Sequence, residues 1–191
     1  RTVRELLGDE FIIYADAAGV YDRAQALRLG KELEDLEVGW FEMPIFPEDI
    51  EGYVELASNL TIPIALDSLM SRYEALEFLR RGGLDVVQPD VCRAGGITEC
   101  RRIAELADAF GAAFAPHISI GSAIHFAAST HLAAAMPNCM TSEFWIGNNP
   151  IGNVVREEPL KLAGEFLEVP TGPGLGLKIK EDGLLKSAAP R

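Results

Sequence analysis

Six ionisable residues recur along the chain at nearly constant spacing. They are Asp16, Glu42, Asp67, Asp90, His117 and Glu143, with gaps of 26, 25, 23, 27 and 26 residues. Each stands near the end of a short apolar run. The first three are carboxylates, and clustered carboxylates repel one another and are costly to bury unpaired. A hard divalent cation such as Mg²⁺ resolves that repulsion, because it prefers oxygen ligands and leaves positions for water or substrate oxygens. Each acid read alone could simply cap the helix after its strand; three at matched phase favour a metal site at Asp16, Glu42 and Asp67. Asp90 and His117 form a second constellation. A carboxylate on one ring nitrogen fixes the tautomer and raises the basicity of the other, which makes a general base or, once protonated, a general acid. The alternative is a core histidine satisfied by backbone, with Asp90 capping the turn in PDVCRAGG; spacing alone does not decide between them. Glu143 could hydrogen-bond a substrate oxygen as it gains charge, provided burial or another acid keeps it protonated. An ion pair with Arg or Lys is the equal alternative. His125 and His131 lie six residues apart on one helix, a separation that does not align two ligands, and read as packing or surface residues.

The elements that must position these residues alternate strand and helix. Strands are expected at 10–17, 39–45, 62–68, 85–90, 112–118 and 139–145. Helices are expected at 22–36, 47–60, 71–83, 96–111 and 122–138. Helical spacing of apolar residues and the Pro47-plus-acids start of the second helix support this reading. Strands that are continuous apolar runs are buried on both faces, as in parallel sheets, and βα alternation implies right-handed crossovers. A doubly wound open sheet usually gathers its site at one switch point, often with a Gly-rich phosphate turn. No such turn follows a strand here, and polar residues end every strand. Gly95 and Gly96 read as a tight strand-to-helix turn. The expected fold is therefore α/β, a partial (β/α) TIM-type barrel of about six units, in which strand ends converge on one face. Residues 1–145 form the barrel portion and 146–191 a C-terminal extension packing on it or on a further domain. About two N-terminal units are expected to be missing.

A chain of 191 residues can bury a sizeable core. Its net charge of −12 disfavours nucleic acid and anionic membranes. No apolar run reaches a membrane span and RTVRELLGDE is no signal peptide. Cys92, Cys100 and Cys139 lack metal spacing and read as reduced thiols of a cytoplasmic protein.

The segments IIYADA, GWFEMPIFPED, IPIALDS, VVQPDVCRAGGITE, FAPHI, TSEFW and PGLGLKI resemble, as an ordered set, the barrel of the enolase superfamily. Within it they resemble the mandelate racemase subgroup and its sugar-acid dehydratases. The resemblance implies Mg²⁺ on Asp16, Glu42 and Asp67, a His117–Asp90 dyad, and Glu143 stabilising an enediolate; a Lys or His base with Mg²⁺ is the shared logic of such sites. It implies abstraction of the proton α to the carboxylate of a hydroxy or sugar acid, with dehydration to a 2-keto-3-deoxy acid as first reading and racemisation or epimerisation as second. It implies a homo-oligomer at full length. No Lys-x-Lys precedes Asp16, where the family usually has one on a strand before its first metal acid, and that strand and the N-terminal capping domain are expected to be missing. Ala18, Met43 and Ser68 stand where the family often has polar or acidic residues. Asp90 argues against the cycloisomerase-type subgroup, whose strand usually offers a lysine there. A reading of another class is an inactive barrel fragment serving as a structural or interaction module, since an incomplete barrel exposes edge strands and apolar faces.

Overall fold

The computed structural model describes residues 1–149, 151–152, 155, 157 and 162–187. The expected extension at 146–191 therefore lies partly outside the described residues. The order of elements is α1 (Thr2–Leu7), β1 (Tyr14–Asp16), α2 (Arg23–Glu34), β2 (Trp40–Glu42), α3 (Ile50–Asn59), β3 (Ile64–Leu66), α4 (Arg72–Leu79), β4 (Val86–Val87), α5 (Gly96–Ala109), β5 (Ala113–Phe114), α6 (Ala123–Ala135), β6 (Leu162–Ala163), β7 (Phe166–Leu167) and α7 (Glu181–Ser187). Strands β1 to β5 form one parallel sheet in sequence order, each joined to the next through a helix. Strands β6 and β7 make a separate antiparallel hairpin.

The helices begin where side chains replace the missing backbone acceptors of a first turn. Asp22 and Gln25 form a reciprocal capping box at α2. Asp49 caps α3, so that helix starts at Ile50, three residues beyond the expected start at Pro47. Ser71 caps α4 and Ser122 caps α6. Helix α5 has no side-chain cap; Gly95 (φ 88°) and Gly96 (φ 84°) instead turn the chain into it in the left-handed region.

The strands are shorter than expected, and prolines explain why. Pro44, Pro89 and Pro116 each follow the last residue of β2, β4 and β5 by two positions. Proline has no N–H to donate to a ladder. The sixth strand, expected at 139–145, does not form. It is reduced to one parallel bridge between Phe114 and Cys139, with Phe114 donating to Asn138 and Met140 donating to Phe114. Beyond Pro116 the N–H groups of Ile118 and Ser119 donate to the Glu143 side chain, so no ladder continues there.

Residues alternate between the two faces of a strand. Phe41, Ile64, Leu66, Val87 and Phe114 face the helices and join Tyr53, Leu56, Phe78, Ile103 and Leu132 in the main core. The alternate residues Trp40, Ala65, Val86 and Ala115 make a small apolar cluster on the opposite face. Leu175 from the C-terminal stretch packs against the main core, and His131 Nε2 lies 3.3 Å from its carbonyl. No helix among the described residues is long and apolar enough to cross a membrane.

Candidate active site

Register and parity set the site residues on one face. Asp16 pairs with Glu42 across β1 and β2, and Glu42 with Ala65 across β2 and β3. Asp67 lies two residues past Ala65, Gln88 two past Val86, and His117 two past Ala115. All therefore share the face of Trp40, Ala65, Val86 and Ala115 rather than the helix-packed face.

The three leading carboxylates sit at graded depth. Asp16 is exposed, and its Oδ1 accepts from the Ala18 N–H at 2.8 Å. Glu42 is half-buried, with Oε2 accepting from Trp40 Nε1 at 3.0 Å and from Gln88 Nε2 at 2.9 Å. Burial first, and then the charges of Asp16 and Asp67, push its carboxyl up to about 7 in spite of those donors. Asp67 is also pushed up, burial outweighing the attraction of His117. Its Oδ1 is buried without a hydrogen-bond partner.

Asp90 is 4% exposed and organises the second group. Its Oδ2 stands 3.0 Å from His117 Nδ1, and its Oδ1 accepts from the Cys92 N–H at 2.6 Å. Burial pushes this carboxyl up, but the His117 hydrogen bond, the nearby His125 ring and the Cys92 N–H outweigh burial and hold it well below the usual range. The same residue also closes the following turn, its carbonyl accepting from Arg93 and Ala94. Asp90 thus both touches His117 and closes the turn after β4. His117 Nε2 points toward Asp67, 3.5 Å from Oδ2. Burial lowers the His117 pKa, but the Asp90 hydrogen bond and the charges of Asp67 and Glu143 raise it further, so the net shift is upward. Glu143 Oε2 accepts from the N–H groups of Ile118 at 2.6 Å and Ser119 at 2.7 Å, which fastens it to the backbone just after His117.

Asp16, Glu42 and Asp67 do not all bring a ligand atom within 4.8 Å of one another. Among the described residues, the cluster with three ligand atoms mutually within 4.8 Å is Asp90, Cys92 and His125. His125, read from sequence as packing or surface, is 6% exposed and its Nε2 stands 3.1 Å from Asp90 Oδ1. Gln88 and Trp40 were not singled out by sequence reasoning. The available signal was parity: each lies two residues before a site acid, as a polar-tipped side chain inside an apolar strand. Backbone strain marks the same rim. Ala18 (φ 48°), Met43 (φ 38°) and Ser119 (φ 52°) follow Asp16, Glu42 and His117 by one or two residues in the left-handed region.

Three comparisons place this arrangement among known proteins. Residues 1–183 match the family described as enolase C-terminal domain-like. The chain is 36% identical over 180 residues to an L-talarate/galactarate dehydratase of Salmonella typhimurium, covering 94% of this chain and 43% of that protein. It is 32% identical over 197 residues to a D-galactarolactone cycloisomerase of Agrobacterium fabrum, covering 98% of this chain and 52% of that protein. A crystal structure of a mandelate racemase/muconate lactonizing enzyme from Sulfitobacter sp. superposes with a TM-score of 0.88 at 31% identity, covering 94% of this chain and 45% of that one. The chain spans about half the length of the curated relatives it matches.

Proposed function

The chain belongs to the enolase C-terminal domain-like family of the enolase superfamily, and from that membership we propose that it abstracts the proton α to the carboxylate of a hydroxy or sugar acid. The observation that carries the proposal is His117, held at Nδ1 by Asp90 Oδ2 at 3.0 Å, with Nε2 on the face that bears the three leading carboxylates. The five-strand sheet is then part of a (β/α) barrel whose strand ends face the substrate, with 1–145 the barrel portion and Leu175 of the C-terminal stretch packing on it. The protein acts in the cytoplasm, as a homo-oligomer at full length.

Asp16, Glu42 and Asp67 would hold Mg²⁺. The donor set fits a hard cation: the ligands are all carboxylate oxygens, Asp67 Oδ1 is buried without a hydrogen-bond partner, and burial together with the charges of Asp16 and Asp67 pushes Glu42 up to about 7. When bound, the cation would supply positive charge against the substrate carboxylate. The chain's own residues do the rest. Asp90 fixes the Nδ1–H tautomer of His117, which leaves the Nε2 lone pair to take the α proton. Gln88 and Trp40 hold the Glu42 carboxylate in place. Glu143 would donate a hydrogen bond from its carboxyl O–H to the substrate oxygen on which negative charge develops. The β-hydroxyl leaves with a proton as water, and the enol so formed tautomerises to the 2-keto-3-deoxy acid. The dehydratase and cycloisomerase names of the relatives support this class of acid-sugar chemistry.

The test follows deuterium wash-in at the α-carbon across a library of acid sugars with Mg²⁺ present. Exchange with at least one acid is expected, and His117→Ala should lower it by about 10²–10⁴-fold. Exchange that survives in His117→Ala would remove this residue as the base. Analysis of products in the same screen separates dehydration from racemisation.

A further inference from the structure

We propose that Asp90, Cys92 and His125 form a second cation site, one suited to Zn²⁺ rather than Mg²⁺. The three offer a carboxylate oxygen, a thiol sulfur and a ring nitrogen whose ligand atoms lie within 4.8 Å of one another. Mixed oxygen, nitrogen and sulfur donors are the set that Zn²⁺ takes, usually four-coordinate with an open position left to water; Mg²⁺ prefers oxygens alone. Two of the three are fixed in the interior, Asp90 at 4% and His125 at 6% exposure, while Cys92 is exposed and gives entry from solvent.

A second observation points to a ligand. His125 Nε2 is buried and makes no hydrogen bond. It stands 3.1 Å from Asp90 Oδ1, close enough for an ion pair yet out of line to donate. A buried ring nitrogen that makes no hydrogen bond is costly, and Asp90 Oδ1 relieves that cost only when the ring is protonated. When that nitrogen is unprotonated, two acceptors face each other, and a cation between them satisfies both. The surrounding backbone keeps the ring there. His125 N–H donates to the Ser122 cap at 3.2 Å. Gly121 lies beneath the ring, where an added Cβ would come within 2.4 Å of His125 Nδ1. Cys92 is held in turn by its N–H bond to Asp90 Oδ1. The site uses Asp90 Oδ1, whereas His117 uses Oδ2, so one carboxylate serves both groups.

The experiment uses the full 191-residue chain under reducing conditions with saturating Mg²⁺. Zn²⁺ is added by calorimetry, and Co²⁺ by absorption as a spectroscopic substitute. One Zn²⁺ per chain beyond Mg²⁺ is expected, and the Co²⁺ form should show a thiolate charge-transfer band. Cys92→Ser, at an exposed position that leaves the fold intact, should abolish the band. It should also weaken Zn²⁺ by roughly 10-fold or more, since even partners outside the ligand shell carry that much. His125→Asn should weaken Zn²⁺ likewise. Co²⁺ binding without the band, a band that persists in Cys92→Ser and so belongs to Cys100 or Cys139, or unchanged Zn²⁺ affinity in Cys92→Ser would each overturn the proposal. Asp67→Asn distinguishes this site from the carboxylate set: it should weaken Mg²⁺ and leave the Cys92-dependent band in place.

Discussion

Glu42 is the residue whose surroundings most define the carboxylate group. Its pKa is raised, so the sign of its effect on stability follows from linkage. Between its unfolded value near 4.5 and its folded value of about 7, the folded chain binds more protons than the unfolded chain. Metal-free stability from this group is therefore full below the unfolded value and falls as pH rises through about 7. Glu42→Gln should flatten that slope in thermal melts taken across pH 4 to 8 with a chelator present (roughly the window set by these two values). Asp90 has the opposite sign: its stabilisation is present above the usual carboxylate range and is lost only in acid. Gln88 gives a second test at this scale. Its Nε2 is one of two side-chain donors to Glu42 Oε2. Gln88→Leu should weaken Mg²⁺ binding about 10–100-fold by calorimetry, the usual effect of losing an orienting partner of a ligand.

At the scale of the elements, turns and caps set where each strand end points. Gly96 has φ 84°, and an added Cβ there would meet nothing within 4 Å, so the cost of Gly96→Ala is conformational alone. That substitution should destabilise by about 1–2 kcal/mol in urea titrations. Ser122→Ala, which removes the α6 cap beside His125, should cost about 1 kcal/mol in the same assay. The alternation of β1 to β5 with α2 to α6 was legible in the sequence because apolar runs and helical spacing are local signals. The Gly95–Gly96 turn was legible too, whereas the His117–Asp90 contact was one of two readings that spacing left open. The lengths of the strands were not legible, because an apolar run does not show where a ladder loses its partner; the prolines at 44, 89 and 116 carried that information. The place of His125 was hidden for a related reason. Its meeting with Asp90 depends on the approach of α6 to the β4 end, a contact between residues 35 positions apart.

The whole molecule presents an open edge. Among the described residues, β1 pairs on one side only, and Leu6, Phe11, Ile12 and Val20 around it are exposed. An unpaired strand with apolar neighbours is a template for association. Sedimentation of the 191-residue chain should show self-association that grows with concentration, and replacing both Phe11 and Ile12 with lysine should reduce it. A monomer at every concentration would argue that this edge is inert.

The division of each strand between its two faces has an evolutionary meaning. Phe41, Leu66, Val87 and Phe114 look toward the helices, while Glu42, Asp67, Gln88 and His117 lie on the other face of the same sheet. Selection can rewrite one set without disturbing the other. A new reaction then needs only substitutions at strand ends, on a scaffold whose stability is written elsewhere. Relatives that share this backbone at about one-third identity, yet carry the names of a dehydratase and a cycloisomerase, are the kind of divergence such a separation permits.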